Sequence, residues 1–232
     1  MDDEEIARSA ELEARHWWYA ERRALVRRTA RSWPAGRAID VGCGSGGNTA
    51  VLRELGWQAV GVEYSPTGAA IAASRGIPVV RGDGRRLPAA DASVDLVMST
   101  DAWEHIDDDA QVAREAFRVL RPGGRLLVAV PAGMALWSGH DLALGHVRRY
   151  ERDQLEALVR GAGFTVERIR SWNVLLRPVV RMRRRKQVAA ESEMEQVQPV
   201  LNAGLRAAVA LERVLPLHRL PGVSLVVVAR KP

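Results

Sequence analysis

The sequence contains little cysteine, little lysine and no long apolar run. Its 232 residues include one cysteine, Cys43, which excludes an intrachain disulfide. Of the 34 basic residues only Lys186 and Lys231 are lysines, a usage typical of GC-rich bacterial genomes. No apolar stretch approaches the roughly 18 to 20 residues of a membrane-spanning helix. Because the amino-terminal segment is acidic and does not resemble a signal peptide, we expect a cytoplasmic protein.

The remaining composition is that of a folded protein with a moderate positive charge. Hydrophobic residues make up 47% and charged residues 27% of a chain whose length suits one domain, or one domain with a cap. The net charge is +6, and the basic residues are spread along the chain with one exception. Because a dispersed charge of this size is a weak indication of nucleic-acid binding, we expect no nucleic-acid partner.

The exception is a basic run at residues 175–187, in which six cationic residues stand among apolar ones. On a helix this run would be amphipathic, and it would contact an anionic lipid surface or a lipid-linked substrate. In the other interpretation it is a solvated helix whose charge is neutralised by Glu191, Glu193 and Glu195.

The order of helical and strand-like segments predicts an α/β fold. Residues 3–32 contain no glycine or proline and are predicted to be helical. Short apolar strands then alternate with helices, and Pro122-Gly123-Gly124 is predicted to be a turn before the fifth strand. The predicted strands are 37–42, 57–63, 77–83, 94–100 and 125–131, and the helices are 48–55, 66–74 and about 107–120. This alternation predicts a parallel sheet covered by helices on both faces.

The pattern changes after residue 131. Residues 132–150 have no clear period and are predicted to form a loop or short helix at the carboxyl edge of the sheet. A helix at 152–160, a sixth strand at 164–170, a helical insertion at 172–221 and a last strand at 222–232 follow. If the last two strands form a hairpin, the insertion lies between them as a cap.

A glycine loop after the first strand fits two different cofactors. Gly42, Gly44 and Gly47 match the fingerprint of a dinucleotide-binding dehydrogenase, whereas Asp40, Gly42 and Gly44 match the nucleotide loop of a methyltransferase. In both cases glycine lets the backbone turn tightly and approach the ligand. Glu63, at the end of the second strand, suits the ribose hydroxyls of either cofactor.

The acidic residues near the loop favour the second interpretation. A carboxylate at Asp40 would repel the pyrophosphate of a dinucleotide, but it would attract the positive charges of S-adenosylmethionine. Asp83 can accept a hydrogen bond from an adenine amino group, and the backbone N–H of Gly84 can donate to a ring nitrogen. Polar residues also end the fourth strand, where ligands of such sheets bind.

Five segments together resemble class I S-adenosylmethionine-dependent methyltransferases, in the small-molecule group that includes quinone-biosynthesis enzymes. They are AIDVGCGSG, GVEYS, RGDG.RLP, DLVMSTDAWEHI and VLRPGGRLLVAVP, and the resemblance covers about residues 38–131. It implies a doubly wound, Rossmann-like α/β fold with a seven-stranded sheet, mostly parallel with an antiparallel last strand. The implied parts are 1–35 (helical lid), 36–131 (S-adenosylmethionine-binding core), 132–170 (acceptor-side loop, helix and strand), 171–221 (helical cap) and 222–232 (last strand).

The resemblance also implies which residues bind the cofactor. They are Asp40, Gly42 and Gly44 at the methionine end, Glu63 at the ribose, Tyr64, Asp83 and Gly84 at the adenine, and the Thr100 carbonyl at the ammonium group. An aromatic stretch with His16, Trp17 and Tyr19 is expected either to fold over the cofactor or to pack the first helix on the sheet.

Transfer of a methyl group to oxygen requires a base as well as alignment of the reacting atoms. Asp101, Glu104 and His105 follow the fourth strand, and His105 is our first candidate for the base. Similar quinone O-methyltransferases use an acidic-and-histidine set here, and some are proposed to bind a divalent metal. Because Asp101 replaces the more usual glutamate, we predict no metal. Residues 107–109 are expected to cap a helix.

His140 and His146 are the second candidates for catalysis, in the segment that would face the acceptor. Arg148 and Arg149 would hold a carboxylate or phosphate of the substrate, or else anchor the loop through ion pairs. We expect a small-molecule acceptor in a pocket built from residues 132–150 and 172–221. We expect the acceptor atom to be oxygen. Carbon and nitrogen acceptors, including lipid-linked or glycan substrates, remain alternatives.

Two other functions compete with methyl transfer. A dinucleotide-dependent oxidoreductase is disfavoured by Asp40 and the RGDG segment. A non-catalytic protein that binds S-adenosylmethionine is disfavoured by the intact polar set after the fourth strand. The sequence makes no prediction of the oligomeric state.

Overall fold

The computed structural model describes residues 3–184 and 198–232, and the fold is given for these ranges. The amino-terminal segment forms two helices, α1 (Asp3–Leu12) and α2 (Trp17–Ala30), rather than one. The break lies just before His16, whose Nδ1 accepts a hydrogen bond from the backbone N–H of Trp18 at 3.2 Å and so caps α2. The absence of glycine and proline hid this break, because a histidine cap is not a usual helix-start signal.

Seven strands form one sheet in the order β3-β2-β1-β4-β5-β7-β6. Their bounds are β1 (Arg37–Val41), β2 (Gln58–Glu63), β3 (Val79–Arg81), β4 (Val94–Thr100), β5 (Leu120–Pro131), β6 (Thr165–Trp172) and β7 (Ser224–Arg230). The first five strands are parallel, and β7 runs antiparallel to both of its neighbours. The predicted α/β sheet with an antiparallel last strand is confirmed.

Helices cover both faces of the sheet because alternate residues of each strand point to opposite sides. In β4, Val97 belongs to the core under the helices after β4 and β5, whereas Leu96 and Met98 belong to the core under α2 and the helix after β1. The helices after α2 are α3 (Gly47–Glu54), α4 (Pro66–Ser74), α5 (Asp109–Val119), α6 (Gly139–Ala143), α7 (Arg152–Gly161), α8 (Arg177–Arg184) and α9 (Pro199–Glu212).

The predicted turn at Pro122-Gly123-Gly124 lies inside β5, so the prediction of a strand beginning at residue 125 is wrong. On β4, Val94 pairs with Leu120, and Leu96 pairs with Arg125. The extra residues of β5 bulge out of the ladder, and Gly123 takes a positive φ of +80° there. Proline and glycine occur in turns and in bulges alike, so the sequence does not distinguish the two. In the structure, residues on both sides of this segment pair with β4, so the segment lies within the strand.

The helical insertion lies between the two strands of a hairpin, as expected. β6 and β7 pair antiparallel, with Trp172 opposite Ser224 at the end nearest the insertion. Within the described residues the insertion contains α8 and α9, and Val209 of α9 joins the core on the α2 face of the sheet. None of the described helices has the length and apolar character needed to cross a bilayer.

Candidate active site

A cavity of about 340 Å³ lies at the carboxyl edge of the sheet, where ligands of such folds bind. Its walls come from the glycine loop after β1, from the first two helices, from residues 100–105 after β4, and from α8 and α9. We call it the edge cavity. The glycine loop and the predicted catalytic residues therefore line one space.

The glycine loop presents open backbone to the edge cavity. Gly42 and Gly44 have positive φ angles of +69° and +54°, which favour glycine. A Cβ on Gly42 would lie 2.4 Å from the Cβ of Ala102, whereas a Cβ on Gly44 would meet no atom within 4 Å. Gly47 is the first residue of α3. The loop thus leaves room for a ligand at Gly44.

Asp40 is buried behind this loop and does not line the edge cavity. Its Oδ2 accepts a hydrogen bond of 2.6 Å from the Thr49 hydroxyl, and its Oδ1 has no partner among the described residues. Burial raises the pKa of Asp40 to about 7; the Thr49 bond opposes this rise, and the charges of Glu63 and Glu13 add to it. The carboxyl group is therefore close to half ionised near neutral pH.

The residues predicted to bind ribose and adenine lie outside the edge cavity, at the ends of β2 and β3. The Glu63 carboxylate accepts hydrogen bonds from the backbone N–H of Gly44 (2.7 Å) and of Ser65 (2.9 Å). Tyr64 is 71% exposed. Asp83 pairs with Arg85 at 2.6 Å, and this hydrogen bond lowers its pKa despite partial burial. Gly84 is buried beside the core.

The amino-terminal helices cover the glycine loop and also pack on the cap. The Glu13 carboxylate accepts a hydrogen bond of 2.7 Å from the Ser45 hydroxyl in the loop. His16, Trp17 and Tyr19 line the edge cavity. The backbone N–H of Trp17 donates to Asn202 Oδ1 of α9 at 2.7 Å. The aromatic stretch thus has the contacts of both a lid and a packing patch.

Asp101 is held in an ion pair that the sequence did not predict. It has a positive φ of +54°, and its carboxylate lies 2.6 Å from the guanidinium of Arg22, whose side chain is 2% exposed. That guanidinium stacks 4.4 Å from the Trp172 ring centroid and 5.1 Å from that of Trp18. Next to it on β4, the Thr100 hydroxyl accepts from Asn48 at 2.9 Å.

The buried Glu104 and the half-buried His105 and His146 form a group in the edge cavity. The two imidazole rings are 4.8 Å apart, and His146 Nε2 lies 3.9 Å from Glu104 Oε1. His105 Nδ1 lies 3.2 Å from the Gly145 carbonyl, so this nitrogen carries the proton. Burial, and then the nearby His146, lowers the pKa of His105 to about 3. Burial also raises the pKa of Glu104, and Asp101 adds to that rise.

These three residues could also hold a metal ion. One ligand atom from each of Glu104, His105 and His146 lies within 4.8 Å of the others, and two imidazoles with a carboxylate suit a divalent transition metal. The absence of a metal therefore stays a prediction. The sequence did not show that His146 joins this group. In the chain, α5, β5 and α6 separate His146 from Glu104, and only the fold brings the two residues together.

Asp141 orients His146 and connects it to two arginines. It is fully buried; its Oδ1 lies 2.8 Å from His146 Nδ1 and 2.8 Å from Arg149 Nε, and its Oδ2 lies 3.6 Å from Arg184 Nη1. Burial alone would raise the pKa of Asp141, but the bond to His146 and the arginine charges lower it to about 2. A carboxylate on Nδ1 leaves Nε2 as the proton acceptor, as in a base that a second group orients.

Arg148 and Arg149 have the contacts of loop anchors rather than of substrate ligands. Arg149 also donates to the Ala132 carbonyl at 3.1 Å, and Arg148 pairs with Asp109 at 2.6 Å. His140 lines the edge cavity, and burial followed by the charge of Arg184 lowers its pKa to about 3. No sequence pattern singled out Asp141, although His146 and Arg149 lie only five and eight residues further along the chain.

Comparisons with known proteins agree with this architecture. Residues 39–128 match the family model of the methyltransferase domain. A protein of Mycolicibacterium smegmatis named "Probable S-adenosylmethionine-dependent methyltransferase" is 31% identical over 160 residues, which are 67% of this chain and 62% of that protein. The chain thus spans less than two thirds of the length of this relative.

Solved structures share the whole fold at lower identity. Phosphoethanolamine N-methyltransferase 2 of Haemonchus contortus, in complex with S-adenosylmethionine, superposes with a TM-score of 0.69 at 20% sequence identity. The superposed region is 100% of this chain and 57% of that protein chain. The methyltransferase in the complex with the Haloferax volcanii Trm112 methyltransferase activator superposes with a TM-score of 0.67 at 23% sequence identity. The superposed region is 99% of this chain and 97% of that one.

Proposed function

Because the chain carries the methyltransferase domain in the class I S-adenosylmethionine-dependent fold, we propose that it methylates an oxygen atom of a small-molecule acceptor in the edge cavity. The observation that carries the proposal is the Asp141–His146 pair, of which His146 lines the same cavity as the glycine loop. An alcohol or phenol acceptor needs a base to remove its proton.

The residues around the loop suit S-adenosylmethionine. Gly44 has space where a side chain would be, and the buried Asp40 behind the loop has an Oδ1 with no partner among the described residues. Asp40, Gly42 and Gly44 would hold the methionine end, Thr100 the ammonium group, and Glu63 the ribose; Tyr64, Asp83 and Gly84 would hold the adenine. When bound, S-adenosylmethionine supplies a methyl group on a positively charged sulfur, and S-adenosylhomocysteine keeps the electron pair of the broken carbon–sulfur bond.

His146 suits the base better than His105, our first candidate. A pKa of about 3 makes His105 a weak proton acceptor at neutral pH. Asp141 holds Nδ1 of His146, so Nε2 takes the proton of the acceptor hydroxyl while the oxygen forms its bond to the methyl carbon. His105 and Glu104 position the hydroxyl, and the surrounding aromatic rings exclude water from it.

Calorimetry and labelled methyl transfer test this proposal. We expect binding of S-adenosylmethionine in preference to NAD, and transfer of labelled methyl to phenol or alcohol probes rather than to a matched amine. His146→Gln should reduce kcat by at least ~100-fold, as for loss of a general base, while the affinity for S-adenosylmethionine is kept. His218→Gln, in a turn away from the cavity, is the control.

Four results would contradict the proposal. Binding of NAD alone would indicate an oxidoreductase, and label on the amine alone would exclude oxygen transfer. Unchanged turnover in His146→Gln would remove the base. Binding of S-adenosylmethionine with no transfer to any probe would support the non-catalytic alternative.

A contact with anionic lipid, or with a lipid-linked acceptor, is a second part of the proposal. On α8, Val179 and Met182 are exposed beside the exposed Arg181 and Arg183. Residues 185–187 and the three neighbouring glutamates lie outside the described residues. An exposed surface that mixes apolar and cationic side chains suits the headgroup region of an anionic bilayer.

A further inference from the structure

Two fully buried polar side chains of the edge cavity lack hydrogen-bond partners. Asn173 is 0% exposed, and neither its Oδ1 nor its Nδ2 has a partner within residues 3–184 and 198–232. Ser224 is 1% exposed, and its hydroxyl has no partner within the same ranges. Folded proteins leave few buried polar groups unpaired, because each one destabilises the fold. Both residues are among those that line the edge cavity.

The two residues are neighbours at the end of the cavity that is far from the glycine loop. Asn173 directly follows β6, Ser224 begins β7, and Trp172 pairs with Ser224. In the sheet order, β6 is three strands from β4, which precedes the His105 group. At about 4.8 Å per strand, this is a separation of roughly 14 Å. A ligand that reaches both places must be elongated.

The turn at Asn173 is fixed without the help of its side chain. The Glu212 carboxylate of α9 accepts hydrogen bonds from the backbone N–H of Val174 (2.7 Å) and Leu175 (3.2 Å). Asn173 has a positive φ of +58°, a conformation that glycine and asparagine adopt more readily than other residues. The amide group is therefore free of any structural duty in the described residues.

The charges nearby indicate a neutral ligand group. The Arg22 guanidinium in the cavity wall pairs with Asp101, and the buried Arg149 pairs with Asp141. These two arginines are therefore not free counterions for an acidic ligand group. An amide and a hydroxyl instead match a group that both donates and accepts hydrogen bonds.

We propose that Asn173 and Ser224 bind a hydroxyl or carboxamide of an elongated acceptor, about three strands away from the atom that is methylated. The apolar body of this acceptor lies against apolar side chains that line the same cavity, among them Leu176, Val180 and Leu205. This subsite rests on the proposed function in one respect, namely that the acceptor occupies the edge cavity.

Thermal unfolding of the ligand-free protein tests whether the two groups are unpaired. We expect Ser224→Ala and Asn173→Gly to keep or raise the Tm, because they remove buried polar atoms without breaking a bond. Ser99→Ala is the matched control: Ser99 is 1% exposed, and its hydroxyl donates to the Val41 carbonyl at 2.8 Å, so its loss should lower the Tm. An equal fall of the Tm in all three variants would overturn the proposal.

Binding of short probes tests the ligand class. Octan-1-ol, octanamide and octanoate are titrated by calorimetry, with and without S-adenosylmethionine. We expect the alcohol and the amide to bind better than the carboxylate, and about threefold to tenfold more weakly to Ser224→Ala, as for one lost neutral hydrogen bond. Equal affinities in variant and wild type, preference for octanoate, or no binding of the alcohol and amide would overturn the proposal. Failure of S-adenosylmethionine binding, with the probes still bound, would count against the proposed function only.

Discussion

The carboxyl group of Asp40 illustrates how burial changes the meaning of a residue. In the sequence, Asp40 is an anion that favours a positively charged cofactor. In the structure it is 1% exposed and shares a hydrogen bond with Thr49, and its pKa lies near 7. Its charge, and with it the attraction for a cation, therefore varies across the neutral range.

This raised pKa predicts a pH-dependent contribution to stability. The pKa of Asp40 is 3.8 when unfolded and about 7 when folded, so between these values the folded protein binds more protons than the unfolded chain. The free energy of unfolding should therefore fall as the pH rises from about 4 to about 7. Between these pH values the slope is at most about 1.4 kcal/mol per pH unit. Asp40→Asn removes this term. Urea unfolding between about pH 5 and 8 should give a shallower fall for the variant, and parallel curves would contradict the assignment.

Local sequence patterns predicted some site residues and missed others. Gly42, Gly44 and Asp101 follow strands directly, so the strand pattern alone places them at the carboxyl edge. Asp141 and Asn173 are different. The role of Asp141 depends on a loop conformation that brings His146 and Arg149 to one carboxylate, together with Arg184 from α8, and that of Asn173 depends on unfilled space. A single sequence records no such contacts.

The junction between α2 and the end of β4 shows the same limit for whole elements. The helical character of residues 17–30 was predictable, but its docking on the sheet was not. Docking depends on Arg22, whose guanidinium contacts two adjacent tryptophan rings and pairs with Asp101. Because most arginines in folded proteins are exposed, nothing in the sequence indicated that Arg22 is buried.

Breaking this ion pair should destabilise the protein. Asp101→Asn keeps a side chain that tolerates the positive φ, but it leaves Arg22 buried without a counterion. We expect a loss of roughly 3 kcal/mol in the free energy of unfolding, at the low end for a buried pair because Asp101 is one-third exposed.

The control for this prediction is Asp107→Asn, an exposed carboxylate six residues further along the chain. It should change the free energy of unfolding by less than about 0.5 kcal/mol. Similar losses in the two variants, measured by urea unfolding, would show that the pair does not stabilise the junction.

Across the whole molecule, the cap combines inward-facing and outward-facing arginines. Arg177 donates to the Gly222 carbonyl at 2.8 Å, and Arg184 donates to the Leu136 carbonyl at 3.0 Å. Arg181 and Arg183 remain on the surface. The basic run is thus neither a uniformly solvated helix nor a uniformly basic face, and the sequence could not separate the two sets.

Vesicle binding tests the proposed lipid contact of this surface. Sedimentation with phosphatidylcholine vesicles containing phosphatidylglycerol should capture the protein, and capture should weaken with salt. Arg181→Glu should reduce the partition coefficient by at least about fivefold. Arg114→Glu, on the exposed side of α5, changes the charge equally and should have a smaller effect. Equal effects, or equal capture by phosphatidylcholine alone, would contradict a contact through α8.

The single carboxylate of Asp141 has a consequence for how the parts of the molecule communicate. It binds the imidazole of His146 on one side and lies 3.6 Å from Arg184 of α8 on the other. A ligand that holds α8 in place therefore also keeps the charge of Arg184 beside the carboxylate that orients the His146 imidazole. A movement of α8 would take this charge away from the carboxylate, whose other partners include Arg149.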